Sequence, residues 1–102
     1  MDDENRRSRR AAAKDGHLDT PAFLRAADKF IDLANRENKT ILATELHMAF
    51  LFASARYSAF VAKVIQDVDD HESFVAHMTK QYQEMLRQHL ADGSIEDSKL
   101  EK

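Results

Sequence analysis

The stretch "MAFLFASARYSAFVAKVI", residues 48–65, decides the fold of this chain. It is almost as apolar as a membrane span, yet Arg56 lies near its middle. Its apolar residues recur at intervals of three and four, which predicts a helix with two apolar stripes on roughly opposite sides. We therefore expect a long central helix over residues 40–66 in an all-α protein.

The two stripes of this helix differ in side-chain size. The heavy stripe predicts a core face and consists of Leu42, Leu46, Phe50, Ala53, Tyr57, Phe60 and Val64. The opposite, small-residue stripe consists of Ile41, Met48, Phe52, Ala55, Ala59 and Ala62, with Leu51 on its flank. Because its alanines let two backbones approach closely, we expect this stripe to form a homodimer contact. The alternative is that one subunit covers both stripes.

Arg56 argues against a membrane-spanning role for this helix. In a span it would lie near the bilayer centre, at a cost of about 2.5–3.5 kcal/mol. In a soluble helix its stem can pack between the two stripes, and a buried guanidinium requires a carboxylate. Asp28 is the first candidate for a buried ion pair with Arg56, and a solvated arginine is the alternative.

Two shorter helices are expected on either side of the central one. Thr20 and Pro21 predict a capped start, and apolar periodicity continues over residues 20–38. Asp69 or Asp70 predicts the start of a third helix over residues 70–91, with Glu72 completing a capping box and Gly93 ending it. These elements predict one domain over residues 20–92, a three-helix antiparallel bundle.

The two ends of the chain are charged. Residues 1–19 contain five acidic and five basic side chains, which predicts a disordered tail, and residues 93–102 are expected to fray. An alternative is an arm that binds nucleic-acid phosphates through Arg6, Arg7, Arg9 and Arg10. Acidic residues beside these arginines and a net charge of −3 disfavour this alternative.

The composition excludes several kinds of chemistry. The 102 residues include no cysteine, which excludes disulfides and thiolate catalysis and suits a cytoplasmic location. Gly16 and Gly93 are the only glycines, so a glycine-rich phosphate loop is impossible. No histidine or glutamate spacing typical of helical metal sites occurs. We expect no enzyme activity, metal or cofactor.

Three blocks of the sequence resemble a family of small proteobacterial proteins of unknown function. They are "ADKFIDLAN" at residues 27–35, "ASARYSAFVA" at 53–62 and "QYQEMLRQHL" at 81–90. The resemblance covers residues 23–90 and implies a bacterial, cytosolic, helical protein with no assigned activity.

The sequence leaves two functional hypotheses from different classes. The preferred one is a cytosolic helical interaction module that associates with itself through its second helix. The other is a nucleic-acid-associated accessory protein that uses the arginine-rich arm. Deletion of residues 1–19 distinguishes them, because it should abolish binding only if the arm carries it.

Overall fold

A computed structural model describes residues 17–95, and over this range the fold is all-α without strands, as predicted. The helices are α1, Thr20–Glu37; α2, Ala43–Phe60, which continues into a π-helical turn over Val61–Ile65; and α3, His71–Leu90. The tail predicted over residues 1–19 lies mostly outside the described residues, as do most of the residues expected to fray at the other end.

The cap of α1 is one residue earlier than predicted. The Asp19 side chain accepts a hydrogen bond from the Ala22 backbone N–H at 2.9 Å, so Asp19 is the N-cap and Thr20 is already helical. A carboxylate is at least as good an N-cap acceptor as a hydroxyl and also interacts favourably with the helix dipole. Pro21 still falls in the first turn, where its missing N–H costs nothing.

The second helix begins three residues later than predicted. The backbone N–H groups of Lys39, Thr40 and Ile41 all bond to carbonyls in the last turn of α1. A helix leaves its last carbonyls without partners inside the helix, and these amides satisfy two of them. Residues 38–41 therefore close α1, and α2 starts at Ala43.

The second helix ends in a widened turn that the sequence analysis did not predict. The Gln66 N–H bonds to the Val61 carbonyl five residues back, at 2.9 Å, and the Val68 N–H reaches Ala62 at 2.8 Å. Between them Asp67 has a φ of 52°, in the left-handed region. This resembles a Schellman ending with one residue added, as expected when the last turn is π rather than α.

Of the two predicted caps for α3, Asp70 is the one used. Its side chain accepts from the Ser73 N–H at 3.1 Å, so the capping box between Asp69 and Glu72 was wrong in register. The helix ends at Leu90 and not at Gly93, because the Ala91 cap already satisfies its last carbonyls. Gly93 instead begins a short 3₁₀ turn.

The chain divides into two compact units, Met1–Ala53 and Ser54–Lys102. Among the described residues of the first unit, the least exposed are half-buried: Ala22, Ala26, Ala34 and Leu46. In the second unit Ala62 is buried, and its half-buried residues are Ser58, Val61, Val68 and Phe74. The antiparallel packing of the three helices stays a prediction.

Candidate interaction surface

The small-residue stripe of α2 is almost wholly open to solvent. Phe52 is 71 % exposed, Met48 is 52 % exposed, and Leu51, Ala55 and Ala59 are exposed as well. These five positions fall on one side of a continuous α-helix, within an arc of about 100° at 3.6 residues per turn. The helix therefore presents the stripe as a surface available to a partner.

Ala62, also predicted to lie on the stripe, differs from these five residues in burial. It is only 4 % exposed and is the one buried residue within residues 17–95. The prediction placed Ala62 on the stripe by assuming 3.6 residues per turn. From Val61 onward the helix is π-helical, with more residues per turn, so the α-helical register ends at Phe60.

The heavy stripe, which we expected to form the core, is also exposed. Tyr57 is 68 % exposed, and Leu42, Phe50, Phe60 and Val64 are exposed too, while Leu46 is half-buried. The Tyr57 and Phe60 rings stack with centroids 6.0 Å apart and planes inclined by 29°. This contact within α2 covers only part of each ring, and most of the heavy stripe is open to water.

Exposure of apolar faces extends to the other helices. On α1, Phe23, Phe30 and Ile31 are exposed. On α3, the exposed residues include Met78 and Tyr82. Monomeric proteins rarely expose contiguous apolar patches larger than a few hundred Å², and larger patches mark interaction sites.

The predicted buried ion pair is not buried in the single chain. Asp28 and Arg56 are both exposed, and they belong to different units. The burial that would have forced Arg56 to find a carboxylate is therefore absent at both positions. Pairing between the two residues stays a prediction, and the solvated arginine is the alternative that the exposure favours.

The described part of the chain brings no metal-binding cluster together. Within residues 17–95, no three histidine, aspartate or glutamate side chains are placed to hold a metal ion. The pKa of the Asp92 carboxyl is lowered, because the carboxylate accepts hydrogen bonds from the backbone N–H and the hydroxyl of Ser94. This interaction stabilises a local turn after α3.

One segment of the described residues meets the length and composition criteria for crossing a membrane. It is Ala43–Ile65, which comprises α2 and its π-helical turn, and it contains Arg56. Length and composition alone are weak evidence, because helices of soluble proteins can meet the same criteria.

The arginines proposed for a nucleic-acid arm, Arg6, Arg7, Arg9 and Arg10, lie outside the described residues.

The π-helical turn and the left-handed Asp67 were missed by sequence reasoning. The sequence signal for both is the run "QDVDD" at residues 66–70, where Asp67 comes two residues after Ile65, the last residue of the helix. Aspartate tolerates the left-handed conformation better than most side chains, so an aspartate at this position could have indicated a C-terminal cap.

Comparison with families of known proteins gives a match over most of the chain. The model of a family described as Protein of unknown function (DUF3144) matches residues 23–93. The matched range agrees with the residues 23–90 over which the three sequence blocks resemble a family of unknown function, and the resemblance is thereby confirmed. No curated protein and no solved structure matches the chain significantly.

Proposed function

Since the chain belongs to this family of unknown function, which brings no activity with it, we propose from its surface that it is a helical interaction module. It associates with itself through the small-residue stripe on α2. The observation that carries the proposal is the exposure of Met48, Leu51, Phe52, Ala55 and Ala59 on one side of a continuous helix.

The amount of exposed apolar surface supports a stable assembly. Among the described residues, 23 large hydrophobic side chains are at least 36 % exposed. If each has roughly 150–200 Å² of surface and is about half exposed, together they leave about 1,700–2,300 Å² open to water. Obligate homodimers bury about 2,000–5,000 Å² in total, or about half of that per partner. A second copy can therefore cover much of this surface.

The chemistry of the stripe favours another helix as the occupant. Ala55 and Ala59 are one turn apart on the same side, so the backbone of a partner helix can approach closely there. Met48 and Phe52 extend the apolar contact toward the start of α2. A symmetric pair of identical surfaces satisfies both copies at once, which is why a homodimer is the simplest assembly.

Light scattering on wild type and on Ala59→Glu tests the proposal. We expect the wild type to have the mass of a dimer and Ala59→Glu to have that of a monomer, because a charged side chain prevents close approach of the two backbones. Ser54→Glu is the matched control, since it adds the same charge to α2 outside both stripes, and it should remain dimeric. A monomeric wild type, or a dimeric Ala59→Glu variant, would refute the interface.

We also propose a cytosolic location for the assembled protein. Burial of the α2 stripes against protein removes the apolar surface that could enter a bilayer and leaves Arg56 at the edge of the contact. Cell fractionation should find the protein in the soluble fraction. Recovery in membranes after an alkaline wash would instead support a transmembrane role for Ala43–Ile65.

A further inference from the structure

The third helix carries an exposed apolar surface of its own, separate from the stripe on α2. Its residues lie within an arc of about 120° on a helix with 3.6 residues per turn. We call it the α3 stripe, and it consists of His71, Phe74, Val75, Met78, Tyr82, Met85, Leu86 and His89. Phe74 is half-buried, and the four residues Val75, Met78, Tyr82 and Met85 are 36–51 % exposed.

The α3 stripe is nearly symmetric about Lys80. At equal distances on the two sides of Lys80 stand two histidines, His71 and His89, and two residues of similar size, Val75 and Met85. The remaining pairs are Phe74 with Leu86 and Met78 with Tyr82, which are all large and apolar. The 3–4 spacing of positions 75, 78, 82 and 85 is the heptad spacing with which two helices pack side by side.

From this symmetry we infer that α3 pairs antiparallel with α3 of a second copy. In a two-fold contact, residue i of one copy meets residue j of the other and j meets i, so the surface must match its own reverse. Rotation about an axis beside Lys80 sets Val75 against the partner's Met85 and Met78 against the partner's Tyr82. Lys80 itself lies on the opposite side of α3, so the two lysines do not meet.

The area of the α3 stripe is sufficient for such a pair. Its six apolar side chains are about two-fifths exposed on average and leave roughly 400–500 Å² per chain, or about 800–1,000 Å² for two chains. The upper value reaches the size at which an interface is counted as specific, about 1,000 Å². The 20 residues of α3 span about 30 Å, so both ends of the stripe can engage at once.

Cysteine crosslinking tests both the contact and its direction, since the chain has no cysteine of its own. In the antiparallel pair, Val75→Cys meets Met85→Cys of the other copy, whereas two Val75→Cys side chains lie about 15 Å apart, too far for a disulfide. We expect an equimolar mixture of the two variants to give a covalent heterodimer as the main product on oxidation. Each variant alone should remain uncrosslinked.

The crosslinking is done in the otherwise wild-type chain, because Ala59→Glu is expected to be monomeric. Crosslinking of Val75→Cys with itself would indicate a parallel pair and overturn the inference, and so would an uncrosslinked mixture. Either result leaves the α2 proposal standing, because light scattering on Ala59→Glu alone tests that contact.

A charge substitution provides a second measurement. Met78→Glu places a carboxylate near the two-fold axis and should weaken α3 pairing about thirtyfold or more, as loss of a central contact does. Ala76→Glu adds the same charge outside the α3 stripe and should leave pairing unchanged. Circular dichroism on both variants verifies that α3 still forms. An unaltered dissociation constant for helical Met78→Glu would refute the inference.

Discussion

At the scale of single residues, Asp67 has a φ of 52°, a value that residues other than glycine rarely adopt. We expect Asp67→Gly to raise the free energy of unfolding by about 0.5–1 kcal/mol and Asp67→Val to lower it by about 1–2 kcal/mol. Chemical denaturation at one fixed protein concentration measures both. Gln66→Gly is the control, since Gln66 is right-handed and should gain nothing. Stabilisation by both glycines would contradict the assignment.

Arg56 gives a second test at the residue scale. Because both Arg56 and Asp28 are exposed, Arg56→Met should change the free energy of unfolding by less than about 1 kcal/mol. A loss of about 3–5 kcal/mol would instead indicate that Arg56 is buried with a carboxylate in the folded assembly. Asp28→Asn then identifies the partner, because it should produce a similar loss only if Asp28 pairs with Arg56.

The turn after α3 gives a prediction about protonation. The backbone N–H and the hydroxyl of Ser94 both bond to the Asp92 carboxylate and lower its pKa. Stability from these bonds is present above the ordinary pKa of an aspartate and is lost as the pH falls through the lowered value. Ser94→Ala should raise the pKa of Asp92 in an NMR titration of the carboxyl carbon. Ser94→Thr keeps the hydroxyl and should not.

The helix caps belong to the scale of elements. The Asp70 side chain satisfies the Ser73 N–H at the start of α3, where the first four amides have no partner within the helix. Asp70→Ala should therefore cost about 1 kcal/mol in the free energy of unfolding. Asp69→Ala, one residue earlier, should change it by less than about 0.5 kcal/mol. A larger loss for Asp69→Ala than for Asp70→Ala would indicate that Asp69 is the N-cap.

The two stripes of α2 explain why element-scale reasoning succeeded in part. Spacing of three and four residues placed α2 on the sequence and located its exposed small residues, because that spacing is a property of the helix itself. It did not predict the burial of Ala62, which lies in the π-helical turn after Phe60. Periodicity has no information about where a turn widens, and the π-helical turn could not be predicted from it.

At the scale of the whole molecule, the exposed faces predict that folding depends on protein concentration. A chain that buries one described residue, Ala62, has little core with which to offset the conformational entropy lost on folding. Because only folded chains associate, association raises the apparent free energy of unfolding by mass action. We expect the thermal midpoint to rise with protein concentration over a hundredfold range. A midpoint independent of concentration would indicate that a single chain is stable alone.

The sequence by itself determined the class of fold, the three helices and the family. Each depends on the order of residues close together in the sequence. The apolar residues of "ASARYSAFVA" have helical spacing whatever surrounds them, and a proline such as Pro21 is tolerated in the first turn of any helix. Folding decided which aspartates cap, because neighbours such as Asp69 and Asp70 compete for the same amides. It also decided how α2 ends and which faces stay open. The heavy stripe is predicted to form a core because large apolar residues are usually buried. Burial, however, depends on a second surface that packs against the first, and periodicity along one helix does not specify that second surface.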